Sequence, residues 1–195
     1  MSASFQSLCV FCGAHSGSNP RFEIVAKELG HYLAENDIRL VTGGGAVGLM
    51  GAVADGDLEA GGGVVGVITR YLETRELAHP LVKRMEVVET MLERKARMAD
   101  LSDAFIALPG GIGTLDEFFE MLTWARLEEH DKPSGLLNVS GFYDELISFC
   151  TSTQVAAGFI AAEDAANLVF SERIPDLMEK LSKLASQGVS SLYRK

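Results

Sequence analysis

The amino-acid sequence predicts an α/β protein with a Rossmann-like, doubly wound, mainly parallel sheet and helices on both faces, formed by a single domain over residues 1–195. Short apolar runs typical of buried strands alternate with longer segments of helical spacing. Glycine-rich loops follow the first, second and fifth of these runs. A length of 195 residues with 47% hydrophobic residues is sufficient for one core of this size.

The predicted elements follow one another without a linker, repeat or low-complexity segment. Strands are expected at Ser7–Cys12, Ile38–Thr42, Gly63–Ile68, Met85–Val88, Ala104–Leu108 and Gly135–Val139, with an edge strand at Asn167–Phe170. Helices are predicted from apolar residues at helical spacing and from signals at helix starts. The first covers Phe22–Asn36, the second follows the second glycine loop and ends at about Ala60, and three more begin after Thr90, near Thr114 and near Ile174.

The loop after the fifth strand has the sharpest signal. Pro109 ends the strand, and Gly110, Gly111 and Gly113 are expected to take positive φ and to let the backbone approach a ligand. Because a helix follows, its free amide groups and the positive end of its dipole would face an anion. The loop has neither the ending of a Walker loop nor the spacing of a dinucleotide fingerprint.

Glu117 has two interpretations. Thr114 and Glu117 have the spacing of a capping box, in which the glutamate serves the start of the helix. Alternatively, its carboxylate faces the sugar of a bound nucleotide. Asp116 and Glu120 add negative charge that would repel a phosphate, so a basic group is expected nearby.

The carboxyl ends of parallel strands meet at one edge of a doubly wound sheet, and ligands bind there. Three glycine loops at this edge, beside an acidic helix start, predict a site of nucleotide size.

The basic group is expected on the helix that follows the fourth strand. Thr90 and Glu93 have the spacing of a capping box, so the helix begins at the same edge of the sheet. Arg94 then lies about one turn in, where a guanidinium can bind phosphate or hold a carboxylate in place. Arg97 is interpreted as part of a solvated face, and Met91 and Met98 are expected to share a helix face and to be packed.

Composition excludes several classes of protein. A net charge of −10 without a basic block argues against nucleic acid or an anionic membrane as partner. We expect no membrane span, because no stretch reaches about 18 apolar residues. The four histidines lack metal-ligand spacing. Cys9 and Cys12 are interpreted as core thiols of a reducing compartment, and no signal peptide is expected, which together predict a cytoplasmic protein.

Several motifs together resemble the Lonely Guy family of cytokinin riboside 5′-monophosphate phosphoribohydrolases, often mislabelled lysine decarboxylases. These motifs are CVFCG, SNP, VTGGGAVGLMG, RELAH, TMLERKARM, ALPGGIGTLDE and KPSGLLNVSGFYD, and they extend over most of the chain. The spacing of Arg94 and the PGGIGTLDE motif is highly specific to the family. Leu92, Thr69 and the segment Ala14-His15-Ser16 depart from its usual residues.

The resemblance implies hydrolysis of the N-glycosidic bond of an adenosine 5′-monophosphate to free base and ribose 5-phosphate. It assigns the catalytic positions to Arg94 and Glu117. It implies substrate binding by Glu76, Lys95, Gly110, Gly111, Ile112, Gly113, Thr114, Leu115, Asp116 and Thr123. No cofactor or metal is expected.

The chemistry of the bond agrees with this assignment. Its cleavage builds positive charge on the ribose, which a fixed carboxylate stabilises. The Gly110–Thr114 amides and the pair Arg94 and Lys95 are expected to hold the 5′-phosphate. Three questions stay open: whether Glu117 is a nucleophile, a base or a stabiliser, whether AMP or an N6-substituted AMP is preferred, and whether the chain is instead a nucleotide or molybdenum-cofactor carrier.

The resemblance also implies a homodimer. The helix after Gly113 is apolar on more than one face, which is more than packing against one sheet requires. The residues expected near the contact are Phe118, Phe119, Met121, Leu122, Trp124 and Leu127. The alternative is a helix that is deeply buried in its own subunit.

Overall fold

The structure is a computed structural model that describes residues 5–73, 75 and 78–189. Its strands are β1 (Ser7–Phe11), β2 (Arg39–Thr42), β3 (Val64–Thr69), β4 (Arg84–Val88), β5 (Ala104–Ala107), β6 (Ser134–Leu137) and β7 (Val169–Ser171). They form one seven-stranded sheet in the order β4-β3-β2-β1-β5-β6-β7, in which every neighbouring pair is parallel. The predicted α/β class with a doubly wound parallel sheet is confirmed.

Helices cover both faces of the sheet. They are α1 (Pro20–Glu35), α2 (Gly48–Glu59), α3 (Arg70–Glu73), α4 (Met91–Asp100), α5 (Ile112–Arg126), α6 (Asp144–Ser148), α7 (Gln154–Ala156), α8 (Ala162–Ala165) and α9 (Ile174–Gln187). One apolar cluster joins the sheet to α1, α2 and α9, and a second joins it to α4, α5 and α6. The central strands β1, β3 and β5 are buried along their whole length, as expected of a sheet covered on both sides.

The first helix illustrates why the local sequence forms its element. Asn19 is the N-cap, and its side chain accepts a hydrogen bond from the Arg21 amide, while Pro20 occupies the first helical position. Val25, Leu29 and Leu33 then form the buried stripe that packs on the sheet.

The strand order reverses between β1 and β5, which is the point where a doubly wound sheet opens a crevice. The loops that follow these two strands contact each other, because the Gly13 amide donates to the Pro109 carbonyl at 3.0 Å. The start of α2 joins them, since the Leu49 amide donates to the Gly13 carbonyl at 3.0 Å. The glycine loops therefore converge at one place, as predicted.

The predicted elements differ from the observed ones mostly at their ends. The expectation that Met91 and Met98 are both packed is wrong for Met91: Met98 is 1% exposed in the core, whereas Met91 is 44% exposed. The two share a helix face, but Met91 begins α4 beyond the ends of the strands. Cys9 and Cys12 are buried in opposite apolar clusters, in agreement with the prediction of core thiols. In the described residues, no helix is long and apolar enough to cross a membrane.

Candidate active site

A cavity of about 550 Å³ opens at the crevice between β1 and β5. Its walls are the loop after β1, the loop after β5 and the first turns of α2, α4 and α5. The volume falls within the range of small-molecule sites. Seven of the residues expected at the site line it: Arg94, Gly110, Gly111, Gly113, Thr114, Asp116 and Glu117.

The start of α5 forms the floor of the cavity. The helix begins at Ile112, two residues earlier than expected, and Gly111 is the N-cap without a side-chain hydrogen bond. Thr114 is therefore the third residue of the helix and is 4% exposed. The capping-box interpretation of Thr114 and Glu117 is wrong, because Thr114 is not the N-cap. The first amides of α5 have no partner within the helix and are available to an anion.

The glycines of this loop do not have the positive φ that was expected of them. Gly110, Gly111 and Gly113 are not among the glycines with positive φ. A Cβ added at Gly110 would lie 2.1 Å from the Thr114 hydroxyl oxygen, so close packing requires this glycine. A Cβ at Gly111 or Gly113 would meet nothing within 4 Å. These two glycines leave open space at the start of the helix.

Arg94 is held rigidly at the opposite wall. The predicted capping box of Thr90 and Glu93 is confirmed, and it makes Arg94 the fourth residue of α4. The guanidinium is buried, with Nε donating to the Val67 carbonyl at 2.9 Å and Nη2 donating to the Gly43 carbonyl at 3.1 Å. Strand β3 and the loop after β2 thus hold the guanidinium plane from behind, and Nη1 remains on the side of the cavity.

The side chain that Nη1 faces is Glu117, whose Oε1 lies 3.6 Å away. The carboxylate is on the second turn of α5, and 13% of its side chain is exposed. In this position the negative charge is fixed between a guanidinium and the open cavity. A partly buried, oriented carboxylate of this kind can stabilise a developing cation or orient a water molecule.

Lys95 lies outside the cavity lining. Its Nζ lies 3.0 Å from Asp116 Oδ2 and 2.9 Å from Glu120 Oε2, so the lysine connects α4 with α5. Burial by itself would lower the pKa of Lys95, but hydrogen bonds to Glu120 and Asp116 outweigh it, and the pKa is raised. The negative charge at the start of α5 was expected to need a basic group nearby. Lys95 is such a group, and it is paired with Asp116 and Glu120.

Sequence analysis did not find the apolar walls of the cavity. The rings of Phe22 and Phe142 meet edge to face with centroids 5.5 Å apart, and both line the cavity, as do Leu72 and Met91. Phe142 is held in place by its neighbour Tyr143, whose hydroxyl donates to the Leu108 carbonyl at 2.6 Å. No local motif indicates these residues, because they come from separate elements.

The nearby thiol is not a nucleophile. Cys12 lines the cavity, but burial, and then the charge of Glu117, raise the pKa of its thiol well above the usual range. It therefore stays neutral at physiological pH. In the part of the chain that the structure describes, no group of histidine, cysteine, aspartate and glutamate side chains has the arrangement of a metal site.

The other expected site residues are not at the cavity of their own subunit. Ile112 and Leu115 do not line it, and Thr123 is exposed about 16 Å along the axis of α5 from Ile112. Glu76 lies outside the described residues. The described cavity thus brings together the two expected catalytic residues and the glycine loop.

Comparisons with known proteins show which family the chain resembles. A family profile described as "Possible lysine decarboxylase" matches residues 50–181. Cytokinin riboside 5′-monophosphate phosphoribohydrolase LOG of Oryza sativa subsp. japonica is 47% identical, over 92% of this chain and 73% of the relative. Cytokinin riboside 5′-monophosphate phosphoribohydrolase LOG3 of Arabidopsis thaliana is 44% identical, over 94% of this chain and 85% of the relative.

Solved structures share the fold. The molybdenum cofactor carrier protein of Chlamydomonas reinhardtii superposes with a TM-score of 0.70 at 23% identity, over 92% of this chain and 98% of the other. The molybdenum cofactor binding protein of Rippkaea orientalis gives a TM-score of 0.64 at 24% identity, over 93% and 98%. At this identity the likeness is one of fold alone.

Proposed function

The chain belongs to the Lonely Guy family of phosphoribohydrolases, and we propose that it hydrolyses the N-glycosidic bond of adenosine 5′-monophosphates. The products are a free base and ribose 5-phosphate. The observation that carries this proposal is the position of the Glu117 carboxylate, 3.6 Å from Arg94 Nη1 and in the same cavity as the open start of α5.

The start of α5 binds the 5′-phosphate. Gly111 and Gly113 leave open space, and the unpaired amides of the first turn donate to phosphate oxygens. Glu117 follows Ile112 by five residues, which is about 7.5 Å along the helix. A ribose ring fits between an anion at the amides and the carboxylate. The phosphate thereby fixes the reacting carbon beside the carboxylate, which removes much of the entropic cost of reaction.

The bond between the anomeric carbon and the base nitrogen breaks with its electron pair leaving on the base. Positive charge develops on the ribose, and the Glu117 carboxylate stabilises it. At about 4 Å and an effective dielectric constant near 20, this attraction amounts to about 4 kcal/mol. A water molecule adds its oxygen to the anomeric carbon and keeps one proton as the new hydroxyl group, and its other proton goes to the base nitrogen that carried the broken bond. Arg94 places a positive charge 3.6 Å from the carboxylate and orients it.

The base contacts the apolar part of the cavity. Leu72, Met91, Phe22 and Phe142 provide flat and flexible apolar surfaces, and Phe142 is 43% exposed at the rim. An apolar substituent on the N6 atom of adenine would gain contact with such a wall at roughly 25 cal/mol per Å² of apolar surface that is buried. We therefore propose that N6-substituted AMP is accepted alongside AMP.

The proposed assembly is a cytoplasmic homodimer. Phe118 and Met121 are fully buried in their own subunit, so only the remaining part of the expected contact surface is available. Phe119, Leu122 and Trp124 are partly buried, and Leu127 is 66% exposed. Since Thr123 lies among these residues and outside the cavity of its own subunit, contact of Thr123 with substrate would occur in the site of the partner subunit.

The experiment is incubation of the purified chain with AMP and with N6-isopentenyl-AMP, followed by chromatographic detection of released base. Adenosine, which lacks the phosphate, is the matched control substrate. We expect base release from both nucleotides and at least a hundredfold lower kcat/KM with adenosine. Binding of nucleotide without release would contradict hydrolysis and would favour a carrier.

The description of the family profile as lysine decarboxylase receives no support from the cavity. Enzymes that decarboxylate amino acids with pyridoxal phosphate hold the cofactor on a lysine. No lysine is among the described residues that line the cavity. The carrier alternative explains the fold but gives no role to a glutamate that faces an arginine across the site.

A further inference from the structure

A tight turn of residues 138–144 joins β6 to α6 and carries one aromatic wall of the cavity. Within it, Ser140 and Gly141 both have positive φ, of 53° and 72°. This backbone conformation is unfavourable for a serine, because its Cβ crowds the following carbonyl group, so the surrounding structure has to hold it. Residues held in this way cluster at ligand sites. The residue that follows the pair is Phe142, which lines the cavity.

Asn138 holds this turn together. Only 5% of the residue is exposed. Its side-chain Oδ1 accepts a hydrogen bond from the Tyr143 amide at 2.7 Å, and its Nδ2 donates to Asp144 Oδ1, also at 2.7 Å. Its backbone amide donates to the Ser171 carbonyl at 2.8 Å, at the end of β7. Asn138 therefore connects the strand side of the left-handed pair with the peptide group that directly follows Phe142.

The ring of Phe142 is supported by two other rings. Its centroid lies 4.8 Å from that of Tyr143 and 5.5 Å from that of Phe22, and both pairs meet edge to face. Aromatic pairs prefer this geometry. Tyr143 is itself 2% exposed and bonded through its hydroxyl to the Leu108 carbonyl, so the support is fixed in the fold. Phe142 nevertheless keeps 43% of its surface exposed. The turn thus presents an oriented, half-exposed ring at the cavity.

We infer that Phe142 packs against the base of the bound nucleotide and distinguishes the nucleotide from ribose 5-phosphate, and that Asn138 is the positioning residue that holds Phe142 in place. The inference rests on the proposed function, which puts the phosphate at the start of α5 and the base at the apolar wall. A base has a flat face against which an aromatic ring packs favourably, whereas ribose 5-phosphate has none. The ring therefore stabilises the bound substrate and leaves the affinity for this product unchanged.

A purely structural role is the competing interpretation. In that case Phe142 would only cover the rings of Phe22 and Tyr143. Loss of its side chain would then lower the stability of the fold, and it would not weaken the binding of one ligand more than that of another.

The test compares the Kd values of AMP and ribose 5-phosphate, which share the phosphate and the ribose and differ in the base. Calorimetry measures both in a chain that also carries Glu117→Gln, so that AMP is not consumed. We expect Phe142→Ala to weaken the binding of AMP about tenfold and that of ribose 5-phosphate less than twofold. Phe142→Tyr retains the ring and should change both less than threefold. The matched control is Phe149→Ala, which should change neither, because Phe149 is 50% exposed and is not among the described residues that line the cavity.

Two changes at Asn138 test its positioning role. Asn138→Ala removes both side-chain hydrogen bonds, so the binding of AMP should weaken about fivefold and that of ribose 5-phosphate less than twofold. Combining Asn138→Asp with Asp144→Asn keeps an acceptor for the Tyr143 amide and reverses donor and acceptor in the other bond, so this exchange should recover the affinity for AMP. Thermal unfolding shows whether each variant is folded. If Asn138→Ala is not, Asn138→Asp alone, which places a second carboxylate beside Asp144, is compared with the exchange.

Equal weakening of both ligands by Phe142→Ala, or an unchanged Kd of AMP, would overturn the contact with the base. A folded Asn138→Ala variant with an unchanged Kd of AMP would overturn the positioning role. Failure of the proposed function would look different: the unmodified chain would bind AMP but release no base. In that event the two Kd values still decide whether Phe142 contacts the base. An unmodified chain that does not bind AMP would overturn both.

Discussion

The glycine loops after β2 and β5 have similar sequences, and each follows the carboxyl end of a strand. They differ in what occupies the space beside their glycines. A Cβ added at Gly43 would lie 2.0 Å from Arg94 Nη2, and one added at Gly44 would lie 2.7 Å from the Met85 sulfur. A Cβ added at Gly111 or Gly113 would meet nothing within 4 Å. The first loop is filled by the protein itself, and the second is open.

The difference shows that a glycine-rich loop at the edge of a parallel sheet has two uses. At β2 the missing side chains allow a buried guanidinium to reach a backbone carbonyl. At β5 they leave room for a ligand at a helix start. The two loops border the same cavity, because the filled loop holds the arginine that faces the glutamate beyond the open loop.

The largest effect is expected from Glu117→Gln, which tests whether the carboxylate that follows the loop after β5 takes part in the reaction. The amide keeps the shape of the side chain but removes its charge, so kcat for AMP should fall about 10³-fold. Because Glu117 is not part of a capping box, the melting temperature should change by less than about 2 °C. Base release and thermal unfolding are the measurements. Retained activity with lost stability would show that the charge serves the fold.

The second largest effect is expected from substitution of Arg94, whose guanidinium fills the space beside the loop after β2. Arg94→Ala leaves the Val67 and Gly43 carbonyls without their donors, so we expect about 1–3 kcal/mol of lost stability and about a hundredfold loss of kcat. Arg94→Lys keeps the charge but cannot reproduce the planar fork, and a loss of about tenfold is expected. Kinetics and denaturant unfolding measure these effects. If Arg94→Lys has the same kcat as the unmodified chain, the planar guanidinium is not required for catalysis.

A matched pair of glycine substitutions compares the two loops directly. Gly43→Ala places a methyl group against Nη2 of Arg94, so kcat should fall about tenfold or more with little change in KM. Gly111 has a φ of −91°, which any residue adopts, and Gly111→Ala should preserve the fold. Its methyl group takes ligand space, so KM should rise about tenfold at similar kcat. The same effect on kcat and KM in both variants would contradict the distinction.

The smallest effect on activity is expected from a change at Asp57, which lies beside a glycine turn and does not line the cavity. Asp57 on α2 is fully buried beside Gly62, and burial raises the pKa of its carboxyl from 3.8 to about 6. As pH rises, the Asp57 carboxyl of the unfolded state therefore loses its proton at a lower pH than the Asp57 carboxyl of the folded state. The stability of the fold should decrease between about pH 4 and pH 6 and then level off, with a total change of about 3 kcal/mol.

Asp57→Asn removes this titration. Its unfolding free energy relative to the unmodified chain should therefore increase from pH 4 to pH 7, while kcat stays the same. Denaturant unfolding at the two pH values is the measurement, and Glu172→Gln, at an exposed acid, is the control. A parallel pH dependence of all three proteins would contradict the assignment to Asp57.

Most of the fold and the identity of the two central residues could be predicted from the sequence. Apolar runs, helical spacing and the residues at helix starts are local signals, and they predicted each strand and each long helix to within a few residues of its observed ends. Because parallel strands place their carboxyl ends at one edge, the order of elements also predicted that the loops after β1 and β5 meet. Glu117 followed from the motif after β5, and Arg94 followed from the motif at the start of the helix after β4.

The tertiary structure decided what each of these side chains contacts. The two carbonyls that hold Arg94 are 27 and 51 residues away in the chain, on β3 and in the loop after β2, and their position beside α4 depends on the order of the strands in the sheet. The same holds for the ion pairs of Lys95 with Asp116 and Glu120, which depend on the packing of α4 against α5. Local patterns specify backbone hydrogen bonding and the buried face of an element. Contacts between distant side chains depend on the strand order and on the packing of all elements together, which no local pattern contains.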